Sequence, residues 1–95
     1  MSKLTKFLKE LSYNRMVFEI LSQREVPYLV IHSSTGRTIE AHTRIPGFSI
    51  LITTTPMEDG KVLLIVKPTG MKMFVEEIPE ILLKQKLLKY VGTLL

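Results

Sequence analysis

Val26-Pro27-Tyr28-Leu29-Val30-Ile31-His32, then Ser33-Ser34-Thr35-Gly36, then Arg37-Thr38-Ile39-Glu40-Ala41-His42-Thr43-Arg44 is the stretch that decides the fold. β-Branched and aromatic residues fill both flanks and a Ser/Thr/Gly cluster separates them, which is the pattern of a β-hairpin. Ser33 to Gly36 fits a type I turn with glycine last and a bulge after it. That turn predicts a register in which His32 faces Thr38, Val30 faces Glu40 and Tyr28 faces His42. Leu29, Ile31, Ile39 and Ala41 then form the face turned to the core, and Tyr28, His32, Glu40, His42 and Arg44 share the polar face.

The chain beyond the hairpin repeats the theme. Ile45-Pro46-Gly47-Phe48 places proline and glycine at the centre of a type II turn, so a strand from Phe48 to Thr55 follows directly. Met57-Glu58-Asp59-Gly60 is the next turn. Lys61 to Lys67 is the next strand, and its unbroken Val-Leu-Leu-Ile-Val centre reads as a central strand buried on both faces. Pro68-Thr69-Gly70 turns the chain into Met71 to Val75, an alternating segment expected near a sheet edge. Pro79 then suits the first turn of a helix, with Glu76, Glu77 and Glu80 toward its positive end and Lys84, Lys86 and Lys89 toward its negative end. Ile81, Leu83, Leu87, Leu88, Tyr90, Val91, Leu94 and Leu95 cover about half of that helix's circumference, and Gly92 is placed to cap it.

Upstream, Leu4, Phe7, Leu8 and Leu11 recur at helical spacing behind Ser2 as N-cap, with Lys3, Lys6 and Lys9 off that stripe. Continuing the same wheel puts Arg15, Glu19 and Ser22 on the leucine face, while Met16, Val17, Ile20 and Leu21 form a second stripe on the other side. The phase slip requires a helix that kinks, that restarts near Ser12-Tyr13-Asn14, or that uses both faces. The expected fold is thus α+β: a mainly antiparallel meander of about five strands between an N-terminal helix, whole or broken, and a C-terminal helix.

Ninety-five residues make one domain, residues 1–95, because so short a chain buries only about two thirds of its unfolded surface and cannot support two cores. Hydrophobic residues make up 45% of it, and the mean hydropathy is +0.20, high for so small an interior. Apolar surface is therefore expected to meet a second copy in a homodimer. The absence of cysteine excludes disulfides and thiolate zinc sites and fits a reducing, cytoplasmic location. With few amides, it also fits a thermophilic source. Lysines interrupt the N-terminal apolar residues, so no signal peptide is read there, and no run reaches the roughly 20 apolar residues of a membrane helix.

The net charge of +4 sits mainly on residues 1–24, which hold five basic and two acidic side chains. Lys3, Lys6, Lys9 and Arg15, with Arg37 and Arg44, are the candidate nucleic-acid contacts. A helix-turn-helix does not follow from them, because Val26 to Ile31 reads as a strand where a further helix is needed. Tyr28, His32, Glu40 and His42 are the candidate catalytic residues, with Glu40 placed to orient an imidazole for general acid/base work. The two histidines lie four strand residues apart, about 13 Å, too far to share a metal within one hairpin. No metal or cofactor site is expected. The Ser33-Ser34-Thr35-Gly36-Arg37 loop lacks the spacing of a phosphate-binding loop and reads as a hairpin turn, and the methionines 57, 71 and 73 read as gap fillers.

A helix followed by Leu29-Val30-Ile31, a turn at Gly36 and Ile39-Glu40-Ala41 resembles the opening of roadblock-type regulatory domains, over about the first 45 residues. The resemblance implies a profilin-like fold and dimerisation. Those domains place a long helix after the first hairpin, whereas Pro46-Gly47 here leads into another strand. The functional expectation is a small, non-enzymatic, homo-oligomeric binding or regulatory protein with a possible protein partner. A nucleic-acid-binding accessory protein and a small enzyme using His32, Glu40 and His42 are the alternatives.

Overall fold

Ser2 opens the first helix as expected: its hydroxyl accepts from the Thr5 amide at 3.1 Å. The computed structural model describes residues 1–34 and 36–95. Helix α1 runs unbroken over Lys3–Gln23, so the phase slip is accommodated within one helix that uses both faces. It ends in a Schellman motif, in which Glu25 N–H donates to Ser22 O and Val26 N–H to Leu21 O. Glu25 takes the left-handed conformation at φ 57°, where glycine is usual.

Five strands follow: β1 Tyr28–Ser33, β2 Gly36–His42, β3 Ser49–Pro56, β4 Lys61–Pro68 and β5 Phe74–Pro79. All pairs are antiparallel and the spatial order is the chain order, a pure meander. Gly47, at φ 77°, and the Phe48 N–H bond to Ile45 O complete the type II turn between β2 and β3. A single 3-10 turn, Glu58–Gly60, joins β3 to β4; another, Glu80–Leu82, leads into helix α2, Leu83–Leu94.

The two helices lie side by side on one sheet face, α1 over β3 and α2 over β4. Tyr13, Val17, Ile20 and Leu21 of α1 and Leu83, Leu87 and Val91 of α2 bury against Ile39, Ala41, Ile50, Ile52, Val62, Leu64, Val66 and Ile78. The opposite face carries no layer. It presents Leu29, Ile31 and Val75 exposed, Leu51, Leu63 and Ile65 half-buried, and a Thr38–Thr53 hydroxyl bond of 3.0 Å at its centre.

Four expectations are corrected. The β1–β2 register is shifted by one residue from that of a bulged turn: Tyr28 faces Ala41, Val30 faces Ile39 and His32 faces Arg37, with Ser33 opposite Gly36. Ile39 and Ala41 are committed to the helix-covered face by pairing with Ile52 and Ile50. The shift brings Tyr28 onto that same face, where its ring stacks on Phe18 at 4.9 Å and 7°. Leu29 and Ile31 consequently turn to the open face. The turn type itself involves Thr35, which lies outside the described residues.

Strand β4 lies inside the sheet between β3 and β5, as expected, but it is not buried on both faces: its outward side chains are only half-buried. The last strand is Phe74–Pro79, so Glu76 and Glu77 belong to an edge strand paired with Leu64 and Leu63 and not to a helix start. Helix α2 continues through Gly92 to Leu94. Gly92 therefore does not cap the helix; it packs beside the Arg24 guanidinium, with 3.5 Å between its would-be Cβ and Nη2, an ordinary contact distance.

Candidate functional site

The sheet divides the predicted catalytic set between its two faces. Glu40 and His42 project from the open face, with His42 Nε2 3.4 Å from Glu40 Oε1. Tyr28 and His32 project from the helix side, Tyr28 engaged by Phe18 and His32 opposite Arg37 at the hairpin end. The expected His-Glu pair therefore forms with His42 alone, and the four groups do not converge. Among the described residues no three of His, Asp or Glu gather in a way that could hold a metal ion.

The candidate nucleic-acid contacts are dispersed as well. Lys9 bonds Glu80 at 3.5 Å, and Arg37 lies over the Phe7 ring at 5.4 Å. Lys6 lines a small recess of about 50 Å³ with Glu10, Gly36, Arg37 and Thr53 to Thr55. Lys3 is exposed in the first turn of α1. Arg15 borders a cleft between α1 and α2 with Glu19 and Lys84. Arg44 lies toward the opposite end of the molecule, where it shares a cleft with Arg24.

This placement inverts the sequence-based picture of the N-terminal segment. Lys6 and Lys9 lean onto the protein body, whereas the apolar stripe faces water: Leu4 is 66% exposed, Leu8 55%, Phe7 47% and Leu11 38%. The physical reason is the phase slip. The core takes the second stripe, from Tyr13 to Leu21, and a straight helix then carries the first stripe around to the outside. The stripe lies on the β1 side of the molecule, with Phe18 over Tyr28 and Phe7 beside Arg37. Strand β1 itself has one unpaired edge.

Two polar clusters sit within the α/β interface. Asn14 accepts from the Thr54 hydroxyl at 3.4 Å, but among the described residues Asn14 Nδ2 is buried without a hydrogen-bond partner, and the buried Tyr13 hydroxyl makes no hydrogen bond of ordinary length, only a looser interaction with the Glu80 carboxylate. Burial first, then the charge of Glu80 and the weak bond toward it, push the Tyr13 phenol up to about 12. Between β5 and α2, Glu76 accepts from the Tyr90 hydroxyl at 2.5 Å and from Lys86 at 3.1 Å. Those two bonds, Tyr90's first, hold its carboxyl below the usual carboxylate range. Burial and then the bond to Glu76 push Tyr90 up to about 12. This cluster clips the edge strand to the helix.

A cleft of about 520 Å³ is bounded by the α1–β1 turn, the β2–β3 loop and the end of α2. Arg24, His42 and Arg44 line it together with Val26, Thr43, Ile45, Phe48, Leu94 and Leu95. Its walls come from three segments far apart in the chain, so no local motif announces it, and Arg24 carries no sequence signal as a site residue. Compared with protein families, with curated proteins and with solved structures, the chain matches none. Fold and site together define a two-layer α+β domain with a solvent-facing amphipathic helix, an open sheet face and one cationic cleft.

No helix of the described residues is long and apolar enough to cross a membrane.

Proposed function

We propose that the protein is a small, non-enzymatic, homo-oligomeric scaffold in which two copies pair through the Leu4, Phe7, Leu8 and Leu11 stripe of α1. The observation that carries this reading is that an apolar stripe at i, i+3, i+4 and i+7 faces water, while on the same turns Lys9 is drawn to Glu80 and Lys6 borders a recess over the sheet. A helix stripe of this kind is self-complementary about a two-fold axis, because each leucine of one copy can enter the space between those of the other.

The four side chains leave roughly 400 Å² in water, about half of the ~800 Å² per partner of a standard interface. The adjoining free edge of β1, with Val30 half-buried and Ile31 exposed, supplies further area. Dispersal of the basic residues and division of the Tyr28, His32, Glu40 and His42 set weigh against the nucleic-acid and enzyme readings.

Size-exclusion chromatography with light scattering, run over a concentration series at low and high salt, tests the proposal. The expected result is a salt-indifferent dimer that becomes a monomer with unchanged far-UV circular dichroism in a Leu4→Lys/Leu8→Lys variant. A monomer at micromolar wild-type concentration, or a dimer untouched by the two substitutions, overturns it. Co-eluting material with high absorbance at 260 nm, released by salt, would favour the nucleic-acid reading instead.

A further inference from the structure

We infer that the cleft bounded by the α1–β1 turn, the β2–β3 loop and the end of α2 binds a small amphipathic anion, a carboxylate head with an aliphatic tail. Its volume of about 520 Å³ lies in the range of small-molecule sites. Arg24 and Arg44 reach it from segments twenty positions apart in the sequence. No carboxylate of the described residues, that of Leu95 included, forms an ion pair with either guanidinium. His42, by contrast, is engaged by Glu40.

Two arginines without an ion pair on one concave surface raise the local positive potential, which an anion relieves. Guanidinium forks match the two oxygens of a carboxylate. Besides His42 and Thr43, the lining is apolar: Val26, Ile45, Phe48, Leu94 and Leu95. Ile45 is 65% exposed at the tip of the β2–β3 loop, an apolar side chain that a tail would cover.

The rim is held in shape without a ligand. The Thr43 hydroxyl donates to Phe48 O at 2.7 Å, with Ile45 O an alternative acceptor at 3.2 Å, and accepts from Ile45 N–H at 3.1 Å, fixing the loop that carries Arg44 and Ile45. On the other side, Arg24 packs against α2 at Gly92. Such a preformed site loses little on ordering. The lining offers one phenyl ring, that of Phe48, one imidazole that Glu40 engages, and no glycine-rich phosphate cradle, which favours a carboxylate over a nucleotide. The cleft lies at the far end of α1 from the Leu4 to Leu11 stripe, so the inference does not depend on dimerisation.

Calorimetric titration with decanoate, kept below its micelle concentration, decides the matter, with decanol, decyl phosphate and inorganic phosphate in parallel and nuclear magnetic resonance shifts to locate the site. The expected result is one saturable decanoate site per chain that shifts Val26, Phe48 and Leu94. Decanol and inorganic phosphate bind at least tenfold more weakly, and so does decanoate to Arg24→Gln and to Arg44→Gln. Arg44 is exposed on a loop, so Arg44→Gln serves alone if the Arg24 variant misfolds. No saturable binding, equal binding of decanol, unchanged affinity in Arg44→Gln, or a tenfold preference for decyl phosphate overturns the assignment.

Discussion

Removing the Tyr13 hydroxyl should make the protein more stable, an uncommon outcome for a core substitution. The side chain is 2% exposed and its oxygen makes no hydrogen bond of ordinary length, only a looser interaction with the Glu80 carboxylate that falls short of offsetting its burial. A buried hydroxyl left unpaired costs about 1–3 kcal/mol, whereas the ring, which Phe retains, supplies the packing against the sheet. Tyr13→Phe should therefore gain about 1 kcal/mol, which for a domain of this size raises the melting temperature by about 4–8 °C. Urea unfolding followed by circular dichroism should show a higher midpoint with an unchanged slope, at matched protein concentration because dimerisation adds to apparent stability.

The pH dependence adds a second signature. The folded phenol titrates at about 12 and an unfolded one at 10.0. Between those values the unfolded chain has lost a proton that the folded chain keeps, so wild-type stability falls by up to about 1.4 kcal/mol per pH unit from this group. The variant lacks that loss, and its advantage should widen above pH 10. A variant destabilised by 1 kcal/mol or more would refute the reasoning and show that the hydroxyl does donate to a partner, Glu80 being the nearest acceptor in charge.

Two further outcomes test the fold directly. Glu76→Gln should lower stability by about 1–2 kcal/mol at neutral pH through loss of the charge-assisted bonds to Tyr90 and Lys86. Because the folded carboxyl titrates below its ordinary value, that contribution is complete above about pH 4.5 and disappears as pH falls through the folded value. Urea midpoints of the two proteins should thus converge as pH falls below the ordinary carboxylate range, and a gap independent of pH would contradict the assignment. The β1–β2 register is tested by a pair of substitutions. Ile39→Ala, fully buried, should cost about 2–5 kcal/mol, and Ile31→Ala on the open face less than about 1 kcal/mol; equal costs would restore the bulged-turn register.

Much of the architecture was legible because its signals are local. Ser2 as N-cap, Pro46-Gly47 as a type II turn, Met57 to Gly60 as a reversal and Phe48 to Thr55 as a strand each act over a few residues, and the structure repeats them, the strand within a residue at either end. The hairpin register was not legible. A turn of four polar residues allows more than one loop length, and the choice between them was made by Phe18 on Tyr28 and by β3 under Ile39 and Ala41. That choice also separated His32 from His42 onto opposite faces, so the candidate site changed with it. The boundary of the last helix failed for a similar reason: the acidic run Glu76-Glu77 favours a helix start, but pairing with Leu64 and Leu63 held it in the sheet.

The sequence by itself determined that the N-terminal segment is a helix with two apolar stripes out of phase, since periodicity at 100° per residue is a property of the chain alone. Which stripe is buried was decided only by tertiary structure. The sheet and α2 can cover one face of a straight helix, and they cover Tyr13 to Leu21, so Leu4 to Leu11 stand in water. The cleft holding Arg24 and Arg44 has the same origin. Its walls are brought together by the return of α2 across the sheet, a long-range closure that no local pattern of residues encodes.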